Sequence, residues 1–323
     1  MTSTKTSTRI RTEHGNRTIR ALVAIGAILA SIAAADTAAA EPQSLVVRIP
    51  AAAQAELRRE VARARAVDVR PFVTVQGIIT SAETAHARAR GRRAPIALYL
   101  AKLGPSALMP MLEMLALDAP KGISAKAAPA IRRDLIEAVG LLRDPRALPV
   151  LTAILDDTSA DEDTTRTAAE AVARLGTDEA ATRILRALDA STGARARAIL
   201  AGMGECRRAR VAEAIAARLR TATDDETARV AARSLGRAGN AWAWQTMTDR
   251  AEESRVRELA ARALVTAFVQ RQGEARTAAD NALMVVDAPQ TPALIEEAKK
   301  GASPETVRAL DELAARFARN PSR

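Results

Sequence analysis

From residue 95 onward, apolar residues recur at helical spacing, and the runs end in Leu-Gly or a close variant. ALYLAKLG ends at Gly104, AAEAVARLG at Gly176, RAILAGMG at Gly204 and VAARSLG at Gly236, while LIEAVGLLR sets Arg143 where the glycine would stand. Successive stops lie 39, 33, 28 and 32 residues apart. Aligning the copies on Leu103, Leu142, Leu175, Met203 and Leu235 gives an apolar residue, or Tyr99, at three, four and seven positions earlier in every copy. Those offsets share one face of an α-helix. A terminal Gly is the expected C-cap, because it enters the left-handed region without a Cβ penalty. At Arg143 the following Asp144-Pro145 ends the helix instead.

After each stop a second, shorter helix is expected: Ser106–Leu117, Arg146–Leu155, Asp178–Leu188, Arg207–Arg220 and Trp242–Glu252. Acidic residues at Asp161-Glu162-Asp163 and Asp224-Asp225-Glu226 mark helix N-termini, where the dipole favours them. Ser303-Pro304-Glu305 reads as an N-cap serine with proline at the first helical position. Beyond 253 the Leu-Gly marker is lost. Helices are still expected near 254–270, 274–286, 290–300 and 304–319, with their place in a repeat left open. Paired helices every ~30–40 residues make an α-solenoid, in which each repeat touches mainly its neighbours.

The stretch DPRALPVLTAIL (144–155) and the recurring A-x-x-L-G resemble the HEAT repeat family, in the short variant of phycobilisome lyase subunits. The resemblance covers residues ~95–252 and extends more loosely to ~319. It implies an all-α superhelix and no particular activity, because such arrays serve many purposes. Residues 41–94 lie outside it. LVVRI (45–49) and VDVRPFVTVQGII (67–79) are rich in β-branched residues and predict strand, while 51–66 reads as helix. An irregular N-terminal cap over 41–94 is expected, followed by the solenoid over 95–319 and a disordered tail over 320–323.

The first 40 residues have a different character. Lys5, Arg9, Arg11, Arg17 and Arg20 precede an uncharged run from Ala21 to Ala35, and Ala38-Ala39-Ala40 follow it before Glu41-Pro42. A basic region, a short apolar run and an A-x-A site together make a secretory signal peptide. The run falls short of the ~18–20 residues that span a bilayer. Cleavage after Ala40 is expected, giving a periplasmic or secreted product without a transmembrane segment.

Composition narrows the chemistry. The chain is 48% hydrophobic but only 2% aromatic, so Ala, Leu, Ile and Val must build the core. Net charge is +10. Of the 48 basic residues only six are Lys, which is the Arg-biased usage of a GC-rich genome as well as a surface suited to an acidic partner. Beyond residue 40 one His (His86) and one Cys (Cys206) remain, too few for a zinc site within one subunit. Any Ser-His-Asp or Cys-His arrangement would depend on His86, which sits in the basic segment TAHARARGRRA, expected to be exposed. No phosphate-binding glycine loop occurs. Asp156–Asp163 lacks the calcium-loop spacing and its glycine. No catalytic, metal or cofactor residues are therefore assigned, and Cys206 is expected to be a small buried helix residue.

Partner binding has better candidates. Second helices of a solenoid usually line its concave face. Arg207, Arg208, Arg210, Arg218 and Arg220 fall on one of them, and Arg suits bidentate pairing with carboxylate or phosphate. Trp242 and Trp244, two residues apart, point in different directions on a helix, so one can be core and the other an exposed anchor. The expected function is an exported protein–protein interaction scaffold without catalytic activity. The alternative is a basic nucleic-acid-binding protein or, by the resemblance, a DNA-glycosylase-like enzyme. Export and the scarcity of aromatics for base stacking weigh against that alternative. A bilin-handling lyase subunit follows from the resemblance alone.

Overall fold

The computed structural model describes residues 45–89 and 94–320, so the signal segment expected over 1–40 lies outside the described residues, as do 321–323 of the expected tail. Among the described residues there are helices and no strands. In chain order they are α1 (Ala51–Val67), α2 (Arg70–Arg88), α3 (Ile96–Lys102), α4 (Leu108–Ala116), α5 (Ala128–Leu142), α6 (Leu148–Asp156), α7 (Glu162–Arg174) and α8 (Asp178–Asp189). They continue as α9 (Gly193–Met203), α10 (Ala209–Thr221), α11 (Asp225–Ala238), α12 (Ala241–Gln245), α13 (Glu253–Gln270), α14 (Gly273–Val286), α15 (Thr291–Lys299) and α16 (Pro304–Ala318). None is long and apolar enough to cross a membrane.

Two rows of helices carry the core. The first row stacks α3, α5, α7, α9, α11, α14 and α16, and the second stacks α4, α6, α8, α10, α13 and α15. This is an α-solenoid of helix pairs, as the Leu-Gly pattern predicts. The repeated apolar columns fill the space between rows, where Leu100, Leu135, Val139, Ala168, Val172, Ile199, Ala228 and Leu235 are all buried.

Small residues set the spacing of the first row. A Cβ added to Gly140 would lie 2.6 Å from the Ala171 Cα, and one added to Gly202 would lie 2.5 Å from the Ala169 Cβ. Neighbouring backbones therefore meet closely, and the lost side-chain volume is what permits it. Buried polar links reinforce the stack. Ser234 Oγ donates to the Leu200 carbonyl at 2.7 Å, joining α11 to α9.

Helix starts follow the acidic signals. Asp161 accepts from the Thr164 N–H at 2.6 Å and Asp224 from the Thr227 N–H at 2.8 Å. Ser303 accepts from the Thr306 N–H at 3.2 Å. Each satisfies one of the donors that a helix leaves open at its first turn.

Three expectations change. The β-prone stretch 67–79 is helical over most of its length, because Phe72, Val75, Ile79 and Ala82 share one buried face of α2. Periodicity outweighs the β-branched composition here. The cap is thus a helix pair, α1 and α2, packed on α4, with an Arg65 guanidinium 4.1 Å over the Phe72 ring. Only LVVRI stays extended, tied to α4 by the Val47 N–H donating to the Leu115 carbonyl at 2.8 Å.

The second change is at Trp242–Glu252, which does not form the second helix of its pair. Helix α12 stops at Gln245, since the polar TMTDRAEE that follows offers no apolar face. The long α13 takes the second-row place beside α10, and α12 with residues 246–252 is an insertion between α11 and α13. Third, Asn320 is not part of a loose tail. It is buried, and its Nδ2 donates to the Met284 carbonyl at 2.8 Å.

Candidate functional site

A cavity of about 970 Å³ lies between the extended segment 46–50 with the first turns of α1 on one side and α6 with the start of α8 on the other. Val47, Ile49, Leu57, Leu148 and Ala153 supply apolar wall, and Arg48, Glu56, Glu60 and Arg183 supply charge of both signs. The groove exists because LVVRI runs extended beside the second row without pairing as a strand.

Its wall holds an unusual arginine. Arg132 is only 2% exposed although it belongs to the apolar face of α5, in line with Leu135 and Val139. Its Nη2 reaches Asp157 Oδ2 at 3.3 Å, while its Nε is buried with no hydrogen-bond partner. Thr152 Oγ1, in the same wall, is also buried and unpartnered. Serine 159's N–H and hydroxyl and the Arg132 guanidinium hold the Asp157 carboxyl below its ordinary value, although burial alone would raise it. Sequence reasoning missed this groove. The signal that could have found it is a charged residue standing in an apolar helical column.

The candidate arginines are placed differently. Arg208 donates from Nε to the Gly176 carbonyl at 2.8 Å and from Nη1 to Glu252 Oε1 at 3.0 Å. Arg210 bonds the Asp178 carbonyl and Thr182 Oγ1, and Arg218 Nη2 reaches Asp189 Oδ1 at 3.3 Å. These three side chains join α10 to the repeat before it. Arg220 is exposed and lines a separate cleft with Arg262 and Arg271. Arg207 lines a small cavity with Arg208 and Trp244.

The tryptophans divide as their spacing implies. Trp244 is buried and its Nε1 donates to the Ala238 carbonyl at 2.9 Å, whereas Trp242 is 74% exposed. No candidate residue lies in the large groove.

The family model for HEAT repeats matches residues 121–204, from the loop before α5 to the end of α9. Residues 121–204 carry HEAT repeats. Within the match, α5, α7 and α9 stand in the first row and α6 and α8 in the second. No curated protein matches the sequence. A solved structure of human deoxyhypusine hydroxylase in complex with glycerol is 17% identical, covering 78% of this chain and 98% of its own, with a TM-score of 0.33. A likeness at that score carries no argument about function.

The residues that chemistry would need are arranged as follows. Cys206 is buried in the turn between α9 and α10, not within a helix, and burial pushes its thiol up to about 11. A thiol so raised stays protonated at neutral pH and is a poor nucleophile. His86 is not in an exposed position. Its Nε2 lies 2.6 Å from Oδ2 of the fully buried Asp134, linking α2 to α5. Among the described residues no group of three or more His, Cys, Asp or Glu side chains could hold a metal ion.

Proposed function

We propose that this HEAT-repeat protein is an exported scaffold that binds a segment of a protein partner in the groove between residues 46–50 and α6 and performs no reaction itself. The observation that carries the reading is the groove. It pairs apolar wall with charges of both signs, and two polar atoms behind that wall have no partner. Extended polypeptide offers apolar side chains, carbonyls and both charge signs together.

Export rests on the basic, apolar and small-residue succession over residues 1–40. A protein partner suits the surface better than nucleic acid does. Arg208, Arg210 and Arg218 are already engaged by carboxylates and carbonyls of neighbouring repeats, which leaves fewer guanidinium groups for phosphates.

The test is capture on immobilised full-length protein from the extract and medium of the producing cell, with Ala153→Arg as the groove-blocking variant. The reading predicts a polypeptide held by the wild-type chain and lost by the variant. Equal retention by both would remove the groove from the proposal, and retention of nucleic acid alone would replace it.

A further inference from the structure

The turns that join first-row to second-row helices in three successive repeats lie side by side. Residue 143 follows α5, residues 174–176 end and follow α7, and 205–208 follow α9. Each turn brings arginine to the same place, namely Arg143, Arg174, and Arg207 with Arg208. The insertion after α11 covers them with Trp244, Met247 and Glu252, enclosing a cavity of about 160 Å³.

Part of this charge is unspent, since Arg143 and Arg207 form no ion pair among the described residues while Arg174 and Arg208 do. Glu252 is held by Arg208 and by the Ala209 N–H at 2.6 Å. Arg174 faces Glu205 from Nε at 3.6 Å and Glu170 from Nη2 at 3.8 Å, and Asp249 is exposed at the rim. Arg207 makes one hydrogen bond, Nη1 to the Glu205 carbonyl at 3.2 Å, and its Nε is buried without a partner. Arg174 Nη1 is buried without a partner as well. The exposed Arg143 guanidinium has no ion-pair partner among the described residues. Burial, and then the nearby guanidinium groups of Arg143 and Arg174, lower the Arg207 pKa against the opposing pull of Glu205.

The backbone points the same way. Arg143 occupies the left-handed region at φ 53°, where the corresponding turn at Gly176 uses glycine at φ 68°. A large side chain in that conformation is strained, and such strain gathers at functional positions. Glycine would relieve it but would remove a positive charge from the mouth of the cavity.

We infer that Arg143, Arg174 and Arg207 form a binding site for a small oxyanion, a phosphate or a carboxylate group, beneath the insertion. Guanidinium forks match the paired oxygens of either group, and the cavity admits one such group and little more. This site is separate from the large groove and stands whether or not the groove binds a partner.

The experiment is thermal unfolding of the full chain in inorganic phosphate, in acetate, and in chloride at equal ionic strength. Arg143→Asn and Arg207→Gln test the site, and Arg220→Gln is the control. Asn tolerates the left-handed turn, so Arg143→Asn keeps the test valid if Arg207→Gln fails to fold. Saturating oxyanion is expected to raise Tm by about 2–4 °C above chloride in the wild type and the control. Apparent affinity is expected to fall at least tenfold in Arg143→Asn. A rise with phosphate alone assigns a phosphate ligand, and a rise with acetate alone a carboxylate. No rise beyond chloride, or a rise undiminished in Arg143→Asn, would overturn the inference.

Discussion

Glu252 Oε2 accepts a 2.6 Å hydrogen bond from the backbone N–H of Ala209, forty-three residues earlier in the chain. The insertion after α11 thereby supplies the N-terminal cap that α10 lacks in its own sequence, since Arg208 makes no side-chain cap bond. Burial opposes ionisation of Glu252, yet the Ala209 N–H and the Arg208 guanidinium hold its carboxyl below the ordinary value.

A depressed folded-state pKa gives stability that is complete above the unfolded value and lost as pH falls through the folded one. Glu252→Gln should therefore lose about 1 kcal/mol at neutral pH, the usual scale of a cap. The gap from wild type should persist down to about pH 4.3, the unfolded value for Glu, and close below it. Urea titrations across that range read the difference directly.

Gly202→Ala gains about 1 kcal/mol of helix propensity but places a Cβ against Ala169 and the Glu170 backbone. Overpacking of that kind costs about 1–3 kcal/mol, so the clash should win. Calorimetry should show a lower Tm for Gly202→Ala, whereas Gly77→Ala, with open space around it, should not fall.

The two tryptophans should behave oppositely. Trp244→Ala removes a buried ring and should cost about 3–5 kcal/mol, while Trp242→Ala should stay within about 0.5 kcal/mol of wild type. Iodide should quench the fluorescence of Trp242 and leave the emission of Trp244, seen in Trp242→Phe, largely intact.

Cys206 should resist a thiol-specific disulfide reagent in the native chain at pH 8, since burial raises its pKa to about 11. Reaction should become complete only in denaturant. Fast labelling of the folded protein would show that the α9–α10 turn opens readily.

Much of this architecture is legible in the sequence, and the reasons are physical. Leu103, Leu175 and Leu235 report helices because offsets of three, four and seven residues follow from helical geometry alone. Asp161, Asp224 and Ser303 report helix starts because the cap bond spans only three residues. The failures share an opposite cause. Val69, Val73 and Ile79 argue for strand by composition, but the helical period of Phe72, Val75, Ile79 and Ala82 finds its partners in α3 and α4. Arg208 and Arg210 looked free because their acceptors, Gly176 and Asp178, stand in another repeat. The large groove was hidden for the same reason, since its walls come from residues 46–60 and 132–183.

The central claim, that a polypeptide partner lies in the groove beside α6, is tested most directly by photo-crosslinking in the producing cell. A photoreactive amino acid at position 153, in the groove wall, is compared with one at position 277, in the cleft between α11 and α14. The account predicts an adduct with a second polypeptide from position 153 and none from position 277. Adducts from position 277 alone, or no polypeptide adduct from position 153, would contradict it.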